Sequence, residues 1–238
     1  MGKHEGMSVK TPSHIVIAID GPSGVGKSTV ARRLARLLGF CYVDSGAMYR
    51  AVGWAVQAHG MAVDDRQAIV ALLEHLAIDV TFCHGLSEVW IQGQNVTCAL
   101  RGEMVGKAAS AVATMPAVRH VVTAKLRSLR CRADVVMEGR DIGTAVFPDA
   151  TLKFFLDASL AVRGERRFQE MQRAGQTMAL EHVVQSVAAR DAQDRGRALA
   201  PLTVATEAQI IDTTNLTVDE VVQIMLPGIQ KKIPQRNS

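Results

Sequence analysis

The chain has 238 residues, 48% of them hydrophobic and 21% charged, which suits one large α/β domain or a core with small insertions. Its net charge of +4 fits a solvated basic surface and an anionic small-molecule ligand about equally. Aromatic residues make up only 4%, too few for stacking platforms on single-stranded nucleic acid, and no basic stripe or docking motif for DNA is present.

The opening "MGKHEGMSVKTPSH" has no apolar stretch of the kind a signal peptide carries, so residues 1–13 are expected to form a flexible arm and the chain to be cytoplasmic. "HIVIAID" (14–20) is short, β-branched and nearly all apolar, as a parallel strand buried on both faces requires. "STVARRLARLLG" follows as a helix, with Val30, Leu34, Leu37 and Leu38 on its inner face and Gly39 at its end. "FCYVD" is a second strand, and Cys41 within it reads as a reduced core thiol; none of the four cysteines sits in a CxxC pair, which argues against zinc. "SGAMYRAVGWAVQAHG" reads as a helix, and Asp64 with Gln67 as a capping box opening the next one.

From 77 to 97 the pattern shifts to short strands, "IDVTF", "EVWIQ" and "QNVT", expected as an antiparallel insertion outside the parallel sheet. "MPAVRHVVTAKLRSLRCRA" is a basic amphipathic helix. "DVVME", "TLKFFLD" and "AQIIDTT" are further strands. Between the last two lie the helices "SLAVRGERRFQEMQRAG" and "ALEHVVQSVAARDAQDRGR". "LTVDEVVQIML" closes the chain, capped by Thr217 with Glu220, and 229–238 is expected to be a tail. Alternating strands and helices define a three-layer α/β fold with a parallel sheet.

Gly21, Pro22, Ser23, Gly24, Val25, Gly26, Lys27 and Ser28 match GxxxxGK[ST] in full, between a strand and a helix, the context that gives the pattern its meaning. The glycines let successive N–H groups turn inward as an anion nest, and the helix N-terminus adds its positive end. Lys27 is placed to reach the β- and γ-phosphates of a nucleotide, and the Ser28 hydroxyl to ligate Mg²⁺. GTPases, transport ATPases and small-molecule kinases all use such a loop; no NKxD guanine motif is present.

Arginine suits multidentate recognition of phosphate, and four clusters carry it. In "DSGAMYR", Ser45 is a phosphate or ribose ligand or simply a helix cap, and Arg50 a phosphate partner or a surface residue. In "EGRDIGT", Glu138, Arg140 and Asp141 follow a buried strand directly, where side chains face a ligand crevice. Arg190, Asp194 and Arg197 share a helix face if the helix continues, either as a ligand site or as a surface ion-pair row. Arg163, Arg166 and Arg167 fall on one turn, either a solvated face or a lid over transferring phosphates.

Together, "IDGPSGVGKST", "DSGAMYR", "EGRDIGT.VFPDA" and "RDAQDRGRALAPL", in that order, resemble bacterial cytidylate kinases of the nucleoside monophosphate kinase class over nearly the whole chain, about 15–226. The resemblance implies a P-loop kinase domain over 14–228. Within it fall an NMP-binding region at about 45–133, enlarged by the β insertion, and a helical lid at about 160–178. It implies Mg-ATP on Gly21 to Thr29. It implies CMP or dCMP on Ser45, Arg50, Ser110, Arg119, Arg140, Asp141, Arg190, Asp194 and Arg197. Lys27, Arg140, Arg166, Arg167 and Arg190 are implied at the transferring phosphate. Glu138 stands where some members carry Asp. A monomer acting on small molecules, with no nucleic-acid or membrane partner, is the expectation. The alternatives are a kinase for another small acceptor, such as UMP or shikimate, and a nucleotide-dependent switch.

Overall fold

The computed structural model describes residues 14–233, so the expected arm at 1–13 and the end of the tail lie outside the described residues. The centre is a parallel sheet in the order β2 (Cys41–Asp44), β6 (Val135–Gly139), β1 (Val16–Asp20), β7 (Leu152–Asp157), β8 (Gln209–Asp212). Because side chains alternate along a strand, the sheet feeds two cores. Val16, Ala18, Val135 and Met137 pack with α2 (Ser45–Ala58) and α5 (Pro116–Leu129). Ile17, Ile19, Val136 and Phe154 pack with α1 (Lys27–Leu38) and α8 (Val218–Lys232). Helices on both faces explain why the central strands read as unbroken apolar runs.

Local expectations hold closely, with four corrections. Val30 and Leu34 of α1 are buried, but Leu37 is 54% exposed; the inward stripe is completed by Ala31 and Ala35. The cap of α3 (Arg66–His75) is Asp65, not Asp64: its carboxylate accepts from the Ala68 amide at 3.0 Å, in the register that buries Ile69. Cys41 is only half-buried, and all four cysteines are free thiols. The helix α8, opened by the Thr217–Glu220 capping box, runs through Pro227 to Lys232, past the boundary expected for the tail. Burial of Ile229, worth about 1.5–3 kcal/mol, together with packing of Ile233, offsets the roughly 3 kcal/mol that an interior proline costs.

The insertion is a meander of β3 (Ile78–Cys83), β4 (Leu86–Ile91) and β5 (Gln94–Asn95), antiparallel as expected. It does not stand apart from the main sheet. A single parallel bridge, Tyr42 to Leu86, joins β4 to the edge of β2. α4 (Glu103–Val112) packs on α2. After β6 the chain makes one wide turn, 142–146, closed by bonds five residues apart: Val146 to Asp141 at 3.1 Å and Phe147 to Ile142 at 2.7 Å. α6 (Leu160–Arg173) and α7 (Leu180–Arg195) form an antiparallel hairpin packed so closely at Gly164 that a Cβ there would collide with Val184. Among the described residues no helix is long and apolar enough to cross a membrane.

Candidate active site

Parallel strands deliver all their C-terminal ends to one edge, and the chemistry gathers there. β1 ends in Asp20 and opens directly into the phosphate loop. Lys27, the first residue of α1, is buried and donates to the Pro22 carbonyl at 2.6 Å, so its ammonium lies folded into the loop. Burial, reinforced by the charge of Arg140 and opposed by Glu138, lowers its pKa to about 7. Asp20 accepts from the amides of Ile142 at 2.9 Å and Gly143 at 2.7 Å. Burial outweighs those two bonds and raises its pKa to about 6. This carboxylate ties the entrance of the loop to the wide turn after β6. The buried Glu138 accepts from the Tyr42 hydroxyl at 2.8 Å, which consumes part of its acceptor capacity.

Across the edge, β2 ends in Asp44, which caps α2 by accepting from Ala47 at 3.2 Å and holds Arg50 at 2.5 Å. The cap is therefore Asp44, and Ser45 is a buried first-turn residue beside Gly139. Ser110 is half-buried on α4. Arg119 of α5 is buried, paired with Asp141 and stacked 5.5 Å above the Tyr49 ring. Burial still raises the pKa of Asp141 against that guanidinium. Asp194 is almost wholly buried and stands between Arg140 at 2.7 Å and Arg197 at 2.5 Å. The sequence spacing suggested Arg190 and Arg197 as its partners. The helix stops at Arg195, and Arg140 comes in from the end of β6 instead.

Arg190 is different. Its side chain is exposed to solvent, yet Arg140, Asp194, Arg50 and Arg167 are near enough to act on its charge. Loss of hydration among them and the charges of Arg140, Arg50 and Arg167, only partly countered by Asp194, lower its pKa to about 10. The charges of Lys27, Arg50, Arg140, Arg167 and Arg190 thus bear on one another; Arg50, Arg140 and Arg167 are each paired with an acid, whereas Arg190 has none at ion-pair distance among the described residues. On this side of the edge Arg197 Nε is buried without a partner at hydrogen-bond distance, and the buried Tyr49 hydroxyl lies beside Thr123.

The three arginines of α6 separate. Arg163 is not on a solvated face: it is buried and paired with Asp191 of α7. Arg166 donates to the Thr213 carbonyl at 2.7 Å and its hydroxyl at 3.1 Å, and that hydroxyl donates to the Val25 carbonyl of the loop. Arg167 is exposed and held only by Glu170 at 3.0 Å. Sequence reasoning missed Asp20, Asp191, Thr213, Tyr42 and Tyr49. Asp20 carried a signal, a lone acid ending an all-apolar strand; Asp191 and Thr213 carried none beyond their charged or polar neighbours.

A nucleotide loop at the C-terminal edge of a parallel sheet, faced by a second cationic site, defines a P-loop kinase. The chain belongs to the cytidylate kinase family, whose model matches residues 17–231. It is 40% identical over 231 residues to the cytidylate kinase of Geobacter sp. (strain M21), covering 96% of this chain and 98% of that one. Against the cytidylate kinase of Marinomonas sp. (strain MWYL1) the identity is 43% over 217 residues, 91% of this chain and 96% of that one. For that of Vibrio cholerae serotype O1 the figures are 41% over 227 residues, 95% and 100%. Among solved structures, a shikimate kinase from Acinetobacter baumannii in complex with shikimate aligns at 19% identity and a TM-score of 0.42, over 93% of this chain and 96% of that one. So distant a likeness carries no argument.

Proposed function

We propose that the protein transfers the γ-phosphoryl group of Mg-ATP to CMP or dCMP, giving ADP and CDP or dCDP, as a cytoplasmic monomer. The observation that carries this reading is the crowding of Lys27, Arg50, Arg140, Arg167 and Arg190, whose charges oppose one another and leave Arg190 without an acid of its own. Like charges so placed repel one another and are relieved when polyanions fill the space between them. Two nucleotide phosphates meeting end to end supply that charge.

The acceptor phosphate has a second pKa near about 6 and arrives mostly as a dianion, so it attacks the γ-phosphorus without a protein base. The protein's task is to bring two anions together. Lys27 leaves the Pro22 carbonyl for the β- and γ-oxygens of ATP and is held protonated there. Arg190 and Arg140 hold the acceptor phosphate, Arg50 swings to it from Asp44, and Arg167, tethered only on the surface, closes on the transferring group. Arg166 contributes by bracing the loop through Thr213. Among the described residues no three carboxylate, histidine or cysteine side chains gather around a possible cation site. Mg²⁺ prefers phosphate and water ligands with few from protein, so the Ser28 hydroxyl at the start of α1 would be the residue to hold it, and Glu138 the acid available to its waters. When bound, it neutralises charge on the β- and γ-oxygens. The Tyr49 hydroxyl and the unpartnered Arg197 Nε, with Asp141, Arg119 and Ser110, form the side that receives the sugar and base. The NMP-binding region at about 45–133 and the lid at about 160–178 are assigned on the same reading.

The test is ADP formation from Mg-ATP with CMP, dCMP, UMP, AMP, GMP and shikimate offered singly. Turnover fastest with CMP and dCMP is the expected result. Equal turnover with all acceptors, or ADP released with none, rejects the cytidine reading and leaves a P-loop phosphotransferase or switch.

A further inference from the structure

The hairpin of α6 and α7 meets the phosphate loop at Ser23 and Gly24, and a buried ion pair holds Ser23. Arg163 spends its guanidinium on three acceptors: the Ala158 carbonyl at 2.9 Å, the Ser23 carbonyl at 3.2 Å, and the Asp191 carboxylate. The other oxygen of Asp191 accepts from the Ser23 amide at 3.3 Å. Both polar groups of the Ser23 backbone are therefore held from outside the loop by one Arg–Asp pair. The next residue, Gly24, has φ +81°, and a Cβ there would lie 2.7 Å from the Arg163 carbonyl, so loop and helix touch backbone to backbone. On α7, Asp191 directly follows Arg190 and precedes Asp194 by one turn. The rigid path from the loop to the acceptor-side arginine is thus a few side-chain bonds long.

A buried ion pair contributes little net stability, because the loss of hydration consumes much of the attraction. What it does supply is geometry: a planar guanidinium fixes the direction of each bond it makes. We propose that Arg163 and Asp191 are a positioning pair, which sets α7 against the phosphate loop so that the acceptor phosphate on Arg190 lies in line with the γ-phosphate over Lys27. The pair touches no substrate. Its role is alignment, where small displacements cost large factors in rate. This inference rests on the two-substrate reading of the cleft but not on which acceptor is used.

Asp191→Asn keeps the shape but has a single acceptor oxygen, so it retains at most one of the two contacts, to Ser23 or to Arg163, and removes the charge that orients Arg163. The variant is to be assayed with whichever acceptor the parent protein phosphorylates fastest. Dissociation constants for a non-hydrolysable ATP analogue and for the acceptor, each alone, are measured beside it. The expected result is a fall in kcat of about 10- to 100-fold, with each separate affinity within about threefold of the parent. Arg163→Lys, which cannot make all three bonds, is expected to behave the same way. The double variant Arg163→Ala/Asp191→Ala is expected to lose no more kcat than Arg163→Ala alone, since the two act as one unit. An unchanged kcat in Asp191→Asn overturns the proposal. So do affinities that fall in step with kcat, or losses that multiply in the double variant, because these mark general damage. If CMP fails as an acceptor but another works, the cytidine reading falls and the positioning test still stands; if no acceptor works, both fall.

Discussion

The donor side and the acceptor side of this cleft are built on opposite plans. The phosphate loop is eight consecutive residues, and its anion nest is made of backbone, with Lys27 as its one cationic side chain. The acceptor side draws its groups from the end of β2, from α5, from the end of β6 and from α7, more than a hundred residues apart, and is made of side chains held by Asp44, Asp141 and Asp194. Backbone donors are fixed by the fold and carry no net charge. Guanidinium groups are mobile and strongly charged, so each needs a carboxylate to hold it in wait. On this side three acids hold four arginines, Asp194 serving both Arg140 and Arg197, and Arg190 is left without a direct partner at ion-pair distance among the described residues.

The largest test of that contrast is Lys27→Met. Turnover should drop by about 10³-fold or more, measured as kcat at saturating substrates, because the loop loses its sole charge on the γ-phosphate. The fold should be at least as stable as the parent at neutral pH. The pKa of Lys27 is lowered by burial from 10.5 to about 7, so between those values the unfolded chain holds a proton that the folded one does not. Stability from this group falls as pH drops from about 10.5 to 7, and the methionine removes that penalty. A large loss of stability on denaturant titration would contradict the assigned burial cost.

Arg190→Met comes next, with an expected loss of about 10²–10³-fold in kcat/KM for the acceptor and little change in the binding of an ATP analogue. Equal loss on both substrates would show that the two sides are not separate. Asp194→Asn should be milder. It releases Arg140 and Arg197 without removing them, raising the acceptor KM by about 10-fold, the weight of one charged hydrogen bond, while the ATP KM stays within about twofold. The smallest effect is a proton. Burial holds the pKa of Lys27 well below the free lysine value, and the phosphates of bound ATP would raise it again. Binding should therefore take up protons at pH 8 and fewer at pH 6, read by calorimetry in buffers of different ionisation heat. No uptake at pH 8 would place the Lys27 ammonium outside the buried loop.

The comparison also marks what was legible in the chain. The loop, its strand and its helix were plain because all their determinants are local: apolar run, glycines, lysine, amphipathic stripe. The capping box of α8 was legible for the same reason, whereas the cap of α3 slipped by one residue because burial of Ile69, not the local pattern, set its register. The arginines were visible as residues but not as roles. Arg163, Arg166 and Arg167 lie on one helical turn, yet one is a buried strut, one braces Thr213 and one pairs with Glu170 at the surface.

By itself, the sequence determined that this protein folds as layered α/β structure around a parallel sheet, that it carries a complete phosphate-loop motif, and that its arginine motifs resemble those of the cytidylate kinase family. Only the tertiary structure decided which arginines are paired and that Arg190 is not, that Asp194 joins Arg140 to Arg197, and that Asp191 links α7 to the loop. The physical reason is range. Helix, strand and nest depend on neighbours within a few residues, whereas an ion pair and the burial that shifts a pKa depend on groups brought together only when the whole sheet has formed.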